Sequence, residues 1–230
     1  MRILLVPAAS LLVMATGLTV NAVASAAPLP VHPVAMNSRT SFAFVSLVPG
    51  TDSGTANSNQ PRPALSIIKL YLVDYVLRHG DGSASDRALS QRAIQLSDND
   101  AASALDNKYP NAIDATAAEY QLPNTSRGSF WGTSLTSAAD IANFLLDKER
   151  SDPASPILGW MATASPVAAD GTAENWGTAH LPGVIGTKWG WSDDRTSLVA
   201  SASIGPGFAV AAMTNGSPAD ENADVRGILP

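Results

Sequence analysis

The sequence predicts a mixed α/β (α+β) fold in which both ends of the chain build one antiparallel sheet and a helical lobe lies between them. Two observations carry this. Residues 41–48 (SFAFVSLV) are dense in aromatic and β-branched side chains, the composition of a strand. From Gly183 onward, GVIGTKWGW, RTSLVASASI and GFAVAAMTN follow a period of two and are separated by SDD and GPG, the pattern of a three-strand meander. Strands at both ends with helical spacing between them imply a sheet assembled from distant parts of the chain.

The elements follow in order. Residues 28–40 are Pro-rich and aperiodic and read as a tether (27–40), and 49–63 read as a loop by composition. Residues 65–77 are apolar almost all round, the mark of a buried helix. Further helices are expected over about 85–96, 100–107 and 112–120, giving a helical lobe at about 80–150. Thr136 or Ser137 serves as N-cap for a helix whose stripe is Ile141, Phe144 and Leu145. The last stretch, SPADENADVRGILP, is short, acidic and ends in proline, a poor candidate for a long covering helix. Because strand 41–48 is apolar on both faces, its outer face is then expected to be covered by the tether or a partner, or to reflect a shortened C-terminus.

The chain opens with Arg2, an apolar run over about 3–20 and then NAVASAAP. This is the layout of a secretory signal peptide (1–26) with Ala24-Ser25-Ala26 as the cleavage site. Pro7, Ser10 and Thr16 interrupt the run, which argues against the alternative of a membrane anchor. Residues 27–230 suffice for one substantial core. A net charge of −6 without a basic cluster makes the chain a poor candidate for binding nucleic acid or an anionic membrane. Absence of cysteine in an exported chain suits a bacterial envelope, and His32, His79 and His180 show no metal-ligand spacing. The expected location is therefore secreted or in the cell envelope.

Lys69 stands inside the apolar helix, where an ammonium is costly unless paired or neutralised. Ser66, three residues earlier, shares its face, so the pair is either packing or a nucleophile with its base. With four lysines in the chain, one S-x-x-K is expected by chance roughly 0.4 times, so this spacing alone is weak. A second stretch, QLSDNDAASAL, holds Ser97, Asp98 and Asn99, any of which could simply cap the next helix. A third, GVIGTKWGWSDD, places Lys188 mid-strand and Gly190 where a backbone or ligand can come close.

In this order, S-x-x-K, S-D-N and K-x-G resemble the motifs of the serine β-lactamase and penicillin-binding protein (D,D-peptidase) superfamily. The resemblance covers most of residues 41–230. LSDNDAASAL is similar to class A β-lactamases, whereas WGTSLTSAADIANFL and WGTAHLPGVIGTKWGW look more like small actinobacterial β-lactamase-related proteins. The resemblance implies a β-lactamase/transpeptidase-like αβα sandwich, and no cofactor. It implies Ser66 as nucleophile, Lys69 as its base, Ser97 as proton relay and Lys188 as partner of the Ser97 hydroxyl and attractor of a substrate carboxylate. Asn99 would bind the substrate amide, Trp189, Gly190 and Trp191 would contact the substrate along the strand, and the backbone N–H groups of Ser66 and Trp191 would form the oxyanion hole.

Three departures stand out. Trp189 occupies the place of the family's carboxylate-binding hydroxyl, so ordinary penicillins are expected to bind poorly. No acidic residue lies between Tyr120 and Thr136, where class A enzymes carry the glutamate that activates the deacylating water. Ser97 follows Ser66 by only 31 positions, a shorter lobe than class A enzymes have. Two readings follow. One is an exported serine hydrolase or acyltransferase that deacylates slowly, acting on a β-lactam or a D-Ala-D-Ala-like cell-wall peptide. The other is a catalytically silent binding module of the envelope.

Overall fold

The computed structural model describes residues 32–227; the apolar leader and its Ala24-Ser25-Ala26 end lie outside them. Six strands form one sheet: β1 (His32–Pro33), β2 (Thr40–Ser46), β3 (Ser53–Gly54), β6 (Gly186–Trp191), β7 (Val199–Gly205) and β8 (Phe208–Thr214). Their order is β1-β3-β2-β8-β7-β6, so the N-terminal strand β2 pairs antiparallel with the last strand β8. A separate two-stranded ribbon joins β4 (Arg62–Pro63) to β5 (Leu135–Thr136). Part of the stretch read as a tether is paired: His32–Pro33 runs parallel to Ser53–Gly54, and Val34 and Met36 pack on the sheet.

Strand alternation divides the sheet into two faces. Ala43 and Val45 of β2, Ala209, Ala211 and Met213 of β8, and Ala200, Ala202 and Ile204 of β7 join the main core. Their small side chains let α5 (Ala138–Ser151) lie close on the sheet. Behind it stands a 3₁₀ turn (Leu65–Ile68) running into α1 (Lys69–His79), with Ile67, Ile68, Leu70, Tyr71 and Leu72 all fully buried. Around α1 pack α2 (Ala84–Gln95), α3 (Asn99–Lys108) and α4 (Ala112–Glu119), close to the expected helices. Asp74, the other charge in the apolar helix, is explained by its neighbours: Lys148 Nζ of α5 lies 2.5 Å away and Arg78 Nε 2.9 Å away. A seven-residue helix not expected from the sequence, α6 (Pro156–Ala162), buries Ile157, Trp160 and Met161.

The outer face carries Phe42, Val210 and Ala212 and is covered by Val34 and Met36 of the stretch read as a tether, one of the covers expected, and by α7 (Pro218–Arg226), which supplies Val225. This corrects the expectation for the acidic C-terminal stretch. Ser217 caps it in a reciprocal box with Asp220, Pro218 occupies the first turn, and Arg39 pairs with Asp220 at 2.6 Å and Asp224 at 2.8 Å. Glu221 reaches under the helix, fully buried, to accept a hydrogen bond from Ser201 Oγ at 2.5 Å. The helix is held by polar contacts rather than by an apolar stripe, which is why periodicity does not reveal it. The result is an αβα sandwich whose outer layer is thin.

Burial pushes the Glu221 carboxyl up to about 8, against an ordinary 4.5, with the hydroxyls of Ser201 and Thr214 pulling the other way. The folded protein thus holds a proton that the unfolded chain releases, so this contribution to stability is complete below about 4.5 and is lost as pH rises to about 8. Urea midpoints measured across that range should fall for the wild type relative to Glu221→Gln, whose amide cannot ionise. Parallel curves for the two proteins would show that Glu221 is not protonated in the fold.

Candidate active site

Chain elements far apart in sequence bring Ser66, Asn99 and Trp191 to one cleft, and Lys69, Ser97 and Lys188 to a buried hydrogen-bonded cluster that reaches it through Asn99. Ser66 sits in the 3₁₀ turn ahead of α1, buried to 8% exposure. Leu65, the residue before it, has a left-handed backbone with φ 53°, and Ser97 has another with φ 51°. Left-handed backbone at a non-glycine residue costs about 1–3 kcal/mol and persists only where the surroundings impose it. At Ser97 they do: Asp98 is the N-cap of α3, accepting from Ala101 N at 3.0 Å, while Arg92 of α2 holds its other oxygen at 2.5 Å. Capping and site geometry therefore coexist in the S-D-N stretch. Asp98 caps, and Ser97 and Asn99 on either side of it both accept from Lys69 Nζ.

Lys69 is completely buried, and its Nζ donates to the Ser97 carbonyl at 2.6 Å and to Asn99 Oδ1 at 2.7 Å. It also lies 4.6 Å from the centre of the Trp131 ring. No hydrogen bond joins Lys69 Nζ to Ser66 Oγ. Lys188 reaches Ser97 from the opposite side, donating to Ser97 Oγ at 2.5 Å and to the Trp189 carbonyl at 3.0 Å. One serine thus meets both buried lysines, one through its carbonyl and the other through its hydroxyl.

Burial holds the Lys69 amine well below the ordinary lysine value, and the Lys188 ammonium adds to this; Glu174, Asp98 and Asp170 pull the other way. Lys188 is also lowered by burial, offset by Glu174. Glu174 is a site residue that sequence reasoning missed. Its side chain is 1% exposed, Oε1 is 3.7 Å from Lys188 Nζ, and burial raises its pKa while both lysines lower it. No spacing announces it, since a lone glutamate in GTAENWG resembles any loop carboxylate.

The cleft beside these groups measures about 670 Å³ and is lined by Ser66, Asn99, Phe130, Trp131, Asp170 and Trp191 among others. Trp191 is fixed there by Nε1 donating to Asp170 Oδ2 at 3.2 Å. Trp189, expected to bind substrate, does not line it. Alternation along β6 sends Lys188 and Gly190 to the helix side and Trp189 to the outer side, where its indole is buried with Trp176 and Val199 and donates to the Trp176 carbonyl at 3.0 Å. Its bulk is therefore accommodated behind the strand instead of obstructing the cleft. No cluster of His, Asp or Glu able to hold a metal ion occurs among the described residues.

Gly190 is required by closeness. A Cβ there would stand 2.7 Å from Leu65 Cβ and 2.8 Å from Ser66 N, so the free edge strand of the sheet touches the turn that carries Ser66. Gly190→Ala should therefore cost about 1–3 kcal/mol in urea denaturation, because backbone must move. Gly159→Ala in α6, where nothing lies within 4 Å, should instead be neutral or gain up to about 1 kcal/mol. Equal stabilities for both variants would contradict the close approach.

No sequence-family profile matches the chain, and no curated protein matches it in sequence. Solved structures do match in fold. Penicillin-binding protein D2 from Listeria monocytogenes, solved in its cefotaxime-bound form, superposes with a TM-score of 0.60 at 17% identity, over 82% of this chain and 94% of that one. A D-alanyl-D-alanine carboxypeptidase from Mycobacterium tuberculosis gives 0.57 at 19% identity, over 89% and 93%. A double mutant of the class A β-lactamase of the last common ancestor of Gram-negative bacteria gives 0.64 at 19% identity, over 82% and 90%. The chain has the fold of the serine β-lactamases and penicillin-binding proteins.

Proposed function

We propose that this protein is an exported active-site-serine hydrolase or acyltransferase that forms an ester on Ser66 with a β-lactam or a D-Ala-D-Ala-like cell-wall peptide. The observation that carries the reading is the Lys69 nitrogen. A neutral amine has two N–H donors and one lone pair. Two acceptors, the Ser97 carbonyl and Asn99 Oδ1, already contact this nitrogen, so in the neutral form both hydrogens are engaged and the lone pair is left for a proton. Burial beside Lys188 favours that neutral form.

In the reaction, Ser66 Oγ bonds to the donor carbonyl carbon while its proton passes to Lys69. The C–N bond breaks, and the departing nitrogen takes the Ser97 hydroxyl proton, which Ser97 regains from the lysines, so that the proton first passed to Lys69 ends on the leaving group with Ser97 as its relay beside Lys188. The backbone N–H groups of Ser66 and Trp191 would stabilise the oxyanion. Resolution of the ester needs a water and a base, and the segment between Tyr120 and Thr136 has no carboxylate for it. Glu174 is turned toward Lys188, and Asp170, a carboxylate that does line the cleft, is engaged by Trp191 Nε1 and Arg195, so deacylation should be slow. Fold neighbours solved with cefotaxime and ampicillin bound support a β-lactam as an acyl donor to test.

A second reading, a silent envelope binding module, draws on one observation: Lys69 has no hydrogen bond to Ser66. Intact mass after exposure to a panel of penicillins and D-alanyl thioesters separates the two. The reading predicts a long-lived adduct with at least one donor, absent in Ser66→Ala and formed about 10²–10⁴-fold more slowly in Lys69→Ala. Absence of any adduct on folded protein would favour the binding module, and rapid hydrolysis without an adduct would overturn the deacylation argument.

A further inference from the structure

Among the described residues, Glu174 differs from the other buried carboxylates near a cation. Asp74, Asp86 and Asp106 are each tied by hydrogen bonds to basic side chains. Neither carboxylate oxygen of Glu174 has a hydrogen-bond partner among the described residues, although the side chain is 1% exposed. Burying an ionised carboxylate in this way is strongly unfavourable unless a charge compensates it. Lys188 Nζ, 3.7 Å away, is the compensating charge. The dependence is mutual. The two acceptors hydrogen-bonded to Lys188, Ser97 Oγ and the Trp189 carbonyl, are neutral, and Glu174 is the one carboxylate within ion-pair distance of it among the described residues.

We infer that Glu174 is a positioning residue, the internal counter-ion that keeps Lys188 charged and donating to Ser97 Oγ, two residues before the cleft-lining Asn99. The other charges around this pair are Lys69 from α1, which opposes an ammonium at Lys188, and Asp98 and Asp170, which act on Lys69. Burial alone would drive Lys188 toward the neutral amine and Glu174 toward the neutral acid, and each opposes that change in the other. A substrate-class consequence follows, and it rests on the acyl-transfer reading above. With the ammonium charge already matched inside the protein, a donor carboxylate is attracted less strongly than a lone ammonium would attract it.

The four lysines make the test direct, because ¹³Cε-lysine labelling of the full chain gives one signal each for Lys69, Lys108, Lys148 and Lys188. In Glu174→Gln the Lys188 titration midpoint should fall by about one pH unit or more, with Lys108 and Lys148 unmoved. On the acidic side of that midpoint, Ser66 acylation by a carboxylate-bearing D-alanyl thioester should gain about tenfold or more relative to its amide, since the ammonium is then unmatched. An unmoved Lys188 midpoint in the folded variant would overturn the inference. Should that variant not fold, the wild type decides: ¹³C-labelled Glu174 and Lys188 must titrate in shared steps, and independent titrations would overturn it equally. A shifted Lys188 midpoint in a protein that never acylates Ser66 would uphold the counter-ion and reject the acyl-transfer reading.

Discussion

Two buried lysines meet at one serine, and the site is organised by that meeting. Ser97 accepts from Lys69 through its carbonyl and from Lys188 through its hydroxyl. It can face both ways because its backbone is left-handed, a conformation held by Asp98 capping the helix that follows. The two amines also act on each other. Each is costly as an ammonium in a dry interior, and their mutual repulsion favours one charge over two. Lys69 is pushed furthest toward the neutral form, while Lys188 has Glu174 for compensation. On the proposed reading, a base and a fixed cation are thus produced from the same residue type by surroundings alone.

The sheet supplies the second constraint. Pairing of β2 with β8 closes the two ends of the chain onto each other and leaves β6 as an edge strand beside the Ser66 turn. Strand alternation then decides what each residue of G-T-K-W-G-W can do. Lys188 faces the helices and Ser97, Gly190 allows contact with the turn, and Trp189 packs behind. The large indole is compatible with an open cleft because it lies on the opposite face.

Much of this is legible in the sequence, and the gaps have physical causes. Period-two patterns expose β6, β7 and β8, and an apolar helix interrupted by one lysine exposes α1, because burial leaves a one-dimensional trace. Ser66, Lys69, Ser97, Asn99 and Lys188 are legible as spacings, since a helical turn or a capped helix start fixes where neighbours point. What sequence reading loses is whatever is held by long-range polar contact. The helix α7 depends on Arg39 and on Ser201 of a strand, and its own residues look like a solvated tail. Glu174 gains its role only from Lys188, fourteen residues later in the chain, with no periodic relation between them. Trp189 is misread for a different reason: the motif position suggests the cleft, whereas the strand's alternation gives the face.

The central claim is that Lys69, neutralised by burial and by Lys188, is the base for Ser66. The rate at which an uncharged fluorophosphonate labels Ser66, followed as a function of pH, tests it most directly. The account predicts a rate that rises through a midpoint well below that of an ordinary lysine and a rise that is lost in Lys69→Ala. A rate that depends on pH in the same way without Lys69, or labelling that does not occur at Ser66, would contradict it.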